Sequence, residues 1–202
     1  KLLQYDYDGN RSWACPGHQG GQMFKRHPVG RLFFEHMGEN IFRDDICNAM
    51  VSLGDLLIRE GPALDAQQEA ARIFGADRTY FVLNGTSSSN KAVNTALLRD
   101  GDIVLFDRNN HKSNHQGALM LAGAIPIYLE TDRNGFGMVG PNDWAAFDEK
   151  AIRAKIAEHP LLAGSDAAKR ERPIRVAIIE QCTYDGTLYN ARKIVDQIGH
   201  LC

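Results

Sequence analysis

The hydrophobic pattern changes texture near residue 60. Residues 1 to about 60 are rich in Gly, His and aromatics, with weak periodicity. From Gly61 onward helical spacing alternates with short apolar runs. Ala63 to Phe74 reads as a helix with Leu64, Ala70 and Ile73 on one face. Thr79 to Leu83 is a β-rich run halted by Asn84-Gly85, and Ser88 to Leu98 a helix ended by Arg99-Asp100-Gly101-Asp102. Ile103 to Phe106 is a second strand, His115 to Ala122 a helix closed by Gly123, and Ile125 to Leu129 a third strand. Arg133 to Pro141 reads as a Gly-rich loop, Asp148 to His159 as a helix, and Ala163 to Pro173 as a charged surface connection. Arg175 to Glu180 is the fourth strand and Ala191 to His200 the helix after it. Strand–helix alternation with near-continuous apolar strands predicts an α/β fold: a mostly parallel sheet with helices on both faces.

Composition narrows the setting. The 202 residues are 44% hydrophobic and 24% charged with a net charge of −2, as in an ordinary globular protein. That balance gives no reason to expect nucleic acid or an anionic membrane as partner. No apolar run approaches the roughly 20 residues that span a bilayer. Cys15, Cys47, Cys182 and Cys202 form no Cys-x-x-Cys pair, so free thiols in a reducing cytoplasm are expected. A start without Met or a leader pattern, and a sheet that needs a further strand after Cys202, predict a piece of a longer protein.

Two stretches carry chemistry. Leu83-Asn84-Gly85-Thr86-Ser87-Ser88-Ser89-Asn90 lies between a strand and a helix. Gly85 permits a tight turn, and the amides of the first helical turn with the hydroxyls of Thr86, Ser87 and Ser88 suit a phosphate dianion. Simple helix capping is the plainer alternative, although three successive hydroxyls exceed what one cap needs. Neither Gly-x-x-x-x-Gly-Lys-Ser/Thr nor Gly-x-Gly-x-x-Gly occurs. The second stretch, Phe106 to His115, follows the next strand and opens on the same sheet edge. His111 and His115 stand four apart, but no third ligand accompanies them, and a metal is not expected. A phosphate cradle beside an imidazole suits a phosphorylated aromatic cofactor with the imidazole stacked on its ring.

At these residues the chain resembles the bacterial ornithine/lysine/arginine decarboxylase family. The matching segments are Pro16-Gly17-His18-Gln19-Gly20-Gly21, Phe42-Arg43-Asp44-Asp45, Asn84-Gly85-Thr86-Ser87, Asp107-Arg108-Asn109-Asn110-His111-Lys112-Ser113 and Thr183-Tyr184-Asp185-Gly186. They stand in family order along nearly the whole chain. Tyr5 to Trp13 and Asn109-Asn110-His111 look most like the ornithine branch.

The resemblance implies the three-layer large domain of fold-type-I, pyridoxal-phosphate-dependent enzymes, with residues 1–60 leading into it and residues 61–202 forming its N-terminal half. It implies that Thr86, Ser87 and Ser88 hold the cofactor phosphate. His111 would stack on the pyridine ring, and Thr183 would lie near the ring substituents. It further implies decarboxylation of a basic amino acid, foremost ornithine to putrescine and carbon dioxide, in a cytoplasmic homodimer or higher oligomer. The family's Schiff-base Lys and pyridine-pairing Asp lie in motifs absent here. Lys91, Lys112, Lys150, Lys155, Lys169 and Lys193 inherit neither role, so residues 1–202 alone are expected to be inactive. Lysine or arginine decarboxylation, another fold-type-I reaction such as transamination, a non-catalytic scaffold, and an α/β protein for another phosphorylated ligand are the alternatives.

Overall fold

The computed structural model describes the chain apart from Arg11, Ser12, Ala14, Asn48, Ala49 and Val51. Arg11 and Ser12 of the Tyr5–Trp13 resemblance therefore lie outside the described residues. By its contacts the chain divides into two compact units, Lys1–Phe81 and Val82–Cys202.

The first unit is helical, with α1 (Leu2–Tyr7), α2 (Pro28–Met37), α3 (Glu39–Arg43) and α4 (Gly61–Phe74). Phe34 and Phe42 stack with ring centroids 5.2 Å apart, Phe33 packs edge-on against Phe42, and Phe24 packs edge-on against Phe33. Helix α4 begins with Pro62 in its first turn and ends at Gly75 in the left-handed conformation, both common at helix ends. Its inward face runs through Gln67 and Ala71. The expectation for Ile73 is corrected, since this side chain is 63% exposed. Gln67 takes the inward position because its Oε1 accepts a hydrogen bond from Arg59 Nε at 2.9 Å.

The second unit holds α5 (Gly85–Leu97), β1 (Ile103–Asp107), α6 (Lys112–His115), β2 (Ile125–Leu129), β3 (Thr131–Arg133), β4 (Val139–Asn142), α7 (Glu149–Glu158), β5 (Val176–Ile178) and α8 (Ala191–Ile198). Strands order β2-β1-β5, all parallel, with Leu105 opposite Ile127 on one side and Ala177 on the other. Every residue of β1 is buried. The strand's alternation sends Ile103 and Leu105 into a cluster with Phe147, Ile152, Ile156, Ile194 and Ile198. Val104 and Phe106 join Leu98, Ala118 and Ala124 on the opposite face. Helices therefore cover both faces of a parallel sheet, the α/β class expected.

Several elements differ from the sequence expectations. Thr79–Leu83 is not a strand: Tyr80, Phe81, Val82 and Leu83 are exposed, with no ladder partner among the described residues. β-Propensity is realised only where a neighbouring strand and a packed face exist. The parallel sheet thus has three strands where four were expected. The expected loop Arg133 to Pro141 instead turns between β3 and β4, a small antiparallel pair, the turn held by Asn134 Oδ1, which accepts from the Phe136 and Met138 amides. The tip satisfies its amides locally, so the polar, Gly-rich sequence can still turn back on itself. Helix α5 starts three residues early, at Gly85. The helix expected from His115 starts at Lys112 and continues as a π-helical turn, Gln116–Leu121.

Ile156 is fully buried on α7 and Val195 is 64% exposed on α8. Ile156→Ala should cost about 2–5 kcal/mol and Val195→Ala less than about 0.5 kcal/mol, read from urea unfolding midpoints. Equal losses would contradict the core as described.

Candidate functional site

The candidate site lies within the second unit, at the carboxyl end of β1. Helix α5 runs back along this strand. Its last turn meets the sheet's other end, where Leu97 O accepts from Arg175 Nε at 3.1 Å. Its start therefore faces the edge where ligands of parallel α/β sheets bind. Gly85 opens the helix at φ +76°, a conformation open to glycine at no steric cost. Asn84 precedes it and contributes no side-chain cap, so the first-turn amides remain available to an anion. Thr86 is exposed, and Ser87 and Ser88 are half-buried. The Ser88 hydroxyl donates to Asn84 O at 3.1 Å, so it must turn to serve a ligand.

The imidazole expected beside this cradle is linked to it. Asn90 Nδ2, one turn into α5, donates to Ser113 Oγ at 2.9 Å. Ser113 Oγ lies 2.8 Å from His111 Nδ1, which also accepts the Ser113 backbone N–H at 3.2 Å. His111 is thus the cap of α6, and its ring remains exposed with Nε2 unpartnered among the described residues. Nδ1 is therefore occupied by the helix cap. That leaves the ring face and Nε2 unused.

Residues given no role from sequence hold this loop in place. Asp107, 0% exposed at the end of β1, accepts from Asn110 Nδ2 at 2.8 Å and from the Glu180 backbone N–H at 2.9 Å. Asn110 Nδ2 also donates to Ile178 O in β5, while its Oδ1 accepts from Asn114 Nδ2 at 2.8 Å. Asn114 Oδ1 in turn accepts from the buried Asn94 of α5 at 3.2 Å. Across the loop the His111 amide donates to Glu180 Oε1 at 3.2 Å and Asn109 Nδ2 to Asp185 Oδ2 at 2.9 Å. The signal for these positions was the spacing of poor helix formers, Asn90 with Asn94 and Asn110 with Asn114, each pair four apart.

Thr183 is buried, and its own turn engages it: Oγ1 accepts the Thr187 amide at 3.1 Å. The link from its segment to the His111 loop runs through Glu180 and Asp185, not through Thr183. His115 points elsewhere, its ring stacked 4.6 Å from Phe106 and 5.7 Å from Tyr128. Among the described residues no cluster of three His, Cys, Asp or Glu could hold a metal ion. Lys112 is exposed. In the first unit His18 is tied down, its Nδ1 accepting the Gly21 amide and its Nε2 3.0 Å from Asp45 Oδ2. A polar cleft of about 400 Å³ beside it, lined by Tyr5, Asp6, Trp13, Arg26 and Arg43, contains no such pairing of helix start and imidazole among the described residues.

This geometry defines a three-layer α/β domain with an anion-ready helix start and a held imidazole on one sheet edge. The chain belongs to the family described as Orn/Lys/Arg decarboxylase, major domain, whose model matches residues 1–202. It is 59% identical over 201 residues to the inducible ornithine decarboxylase of Escherichia coli and 58% identical to the ornithine decarboxylase of Haemophilus influenzae. Those matches cover 100% of this chain and 27% of each relative, so the chain spans about a quarter of their length. The solved structure of lysine decarboxylase A from Pseudomonas aeruginosa superposes with a TM-score of 0.82 at 42% identity, over 98% of this chain and 26% of that one. Among the described residues no helix is long and apolar enough to cross a membrane.

Burial pushes the Asp107 carboxyl above its ordinary value of 3.8; the Glu180 amide and Asn110 pull it down without offsetting that, and the Glu180 carboxylate adds to the rise. The folded state therefore keeps this proton longer than the unfolded chain. Its contribution to stability is full below about 3.8 and is lost as pH rises through the raised value. Asp107→Asn has no such proton. The stability lead of wild type over Asp107→Asn should be greatest at low pH, narrow across that window and then stay level. Urea midpoints between about pH 3 and pH 7 test the sign. A lead that widens across the window would contradict it.

Proposed function

We propose that this chain is the N-terminal part of the cofactor-binding domain of a pyridoxal-phosphate-dependent decarboxylase acting on a basic amino acid. Ornithine is the substrate, and putrescine and carbon dioxide are the products. Residues 1–60 lead into that domain and take part in self-association, and residues 61–202 form its N-terminal half. One observation carries the reading. The uncapped start of α5 and the ring of His111 are joined through Asn90 and Ser113 on a single sheet edge.

The residues present fit the cofactor. A phosphate dianion needs convergent donors, which the first-turn amides and the hydroxyls of Thr86, Ser87 and Ser88 supply. A flat heteroaromatic ring needs a flat neighbour, and the exposed His111 imidazole, anchored through Nδ1, provides one. Thr183 stands close in sequence to Glu180, which holds the His111 amide, and is assigned to the surroundings of the ring substituents. When bound, pyridoxal phosphate supplies a sink for the electron pair left as the α-carboxylate departs. The chain's own part is to bind the phosphate, hold the ring flat and keep water from one face of it.

Identity to the two ornithine decarboxylases, 59% and 58%, against 42% for the lysine decarboxylase of Pseudomonas aeruginosa and 41% for an arginine decarboxylase of Escherichia coli, supports ornithine over its homologues. The free thiols of Cys15, Cys182 and Cys202 suit a reducing cytoplasm, where the reading places the protein.

The full-length protein, titrated with pyridoxal phosphate against inorganic phosphate, should give a cofactor absorbance band and release carbon dioxide from ornithine with higher kcat/KM than from lysine or arginine. Thr86→Ala and Ser87→Ala should each weaken cofactor binding by about tenfold, the worth of one hydrogen bond to a charged group. Transamination without carbon dioxide release would sink the reaction; a higher kcat/KM for lysine would sink the substrate.

A further inference from the structure

The donors around His111 determine where its proton sits. A backbone N–H can only donate, so the 3.2 Å contact from the Ser113 amide makes Nδ1 an acceptor. Asn90 Nδ2 donates to Ser113 Oγ at 2.9 Å, which leaves the hydroxyl proton free to point at Nδ1, 2.8 Å away. Two donors converge on one lone pair, and a proton on Nδ1 would face both of them. The proton of the neutral ring is therefore on Nε2, which meets no partner among the described residues.

Asn90 belongs to α5, six residues after Asn84, which stands just before the helix start. The same rigid element thus carries the anion cradle and, through one hydroxyl, the setting of the imidazole. Ser113 is 1% exposed, so solvent does not compete for its bonds. We propose that Ser113 and Asn90 are positioning residues: they lock His111 as the Nε2–H tautomer and tie its ring to the helix that begins at Gly85. The inference deepens the cofactor reading above and rests on it for what the ring faces. The tautomer itself does not depend on a ligand.

Solid-state ¹⁵N NMR of the full-length protein labelled at histidine reads the tautomer directly, with the His111 signals identified by their loss in His111→Gln. Wild type should show Nδ1 as the bare, accepting nitrogen and Nε2 as protonated. Ser113→Ala leaves only the longer backbone contact and should raise the Nδ1–H population about fivefold, while Ser113→Thr restores the wild-type signals. Asn90→Ala should shift the signals in the wild-type background and not in Ser113→Ala, because it acts through that hydroxyl. Pyridoxal phosphate affinity, measured by absorbance, should fall about fivefold in Ser113→Ala and recover in Ser113→Thr. A proton on Nδ1 in wild type, unmoved nitrogen signals in Ser113→Ala, or unchanged cofactor affinity despite moved signals would overturn the proposal. Wild-type protein with the stated tautomer that takes up no pyridoxal phosphate would instead overturn the function proposed above, leaving the tautomer lock standing.

Discussion

The site depends on one buried carboxylate. Asp107 ends the central strand with no solvent contact, and its two oxygens receive the Glu180 amide and the Asn110 side chain. Taking a carboxylate out of water costs several kcal/mol, and two charge-assisted hydrogen bonds offset only part of that. Net stabilisation is therefore not what this residue provides. Geometry is. The loop after β1 and the segment after β5 both place a donor on this acid, which fixes how they meet. An apolar residue there would leave the Glu180 amide without its acceptor and Asn110 with only the Ile178 carbonyl.

From that point a chain of amides transmits position to α5. Asn110, Asn114 and Asn94 each donate to or accept from the next, so the buried polar atoms are satisfied. Asparagine is a poor helix former, and Asn94 and Asn114 both sit in helices, so local propensity is sacrificed for specific pairing. The pairing needs the two helices close together. Gly117 permits it: a Cβ there would come within 3.0 Å of Lys91 Cα and Asn94 Cβ. An alanine at 117 would push the π-helical turn from α5 and stretch the contacts between Asn94 and Asn114.

What could be read from sequence follows from which forces act locally. The apolar runs at Ile103–Phe106 and Ile125–Leu129 declared themselves because both faces of a parallel strand are buried. Helix α7 was equally legible, with Asp148 capping it and Ile152 and Ile156 four apart on the core side. Thr79–Leu83 misled because its composition is that of a strand while its partner is missing among the described residues. The early start of α5 was hidden by Gly85, which reads as a turn and is also the first residue of the helix. Within the site, the hydroxyls were visible as three in succession at a helix start, and His111 as an imidazole in the loop after a buried strand. Asp107 and Ser113 were not, because a polar residue reads as surface until packing encloses it.

Placing the cradle and the imidazole on one scaffold has a thermodynamic consequence. A phosphorylated aromatic ligand has a fixed spacing between its dianion and its ring. If two independent loops gripped the two ends, each would have to be ordered when the ligand arrived, at roughly 0.5–1.5 kcal/mol per immobilised side chain. Here Asn90, Ser113 and Asp107 have already spent their hydrogen bonds on the protein, and the His111 loop is fastened to both α5 and the end of β5. The ordering cost falls on folding instead of on binding. Precision then follows from helices and strands, which hold side chains more closely than loops do. Among the described residues, the groups left with unspent capacity at this edge include the first-turn amides of α5, the hydroxyls of Thr86 and Ser87, and the face and Nε2 of His111, and these are the groups a ligand would use.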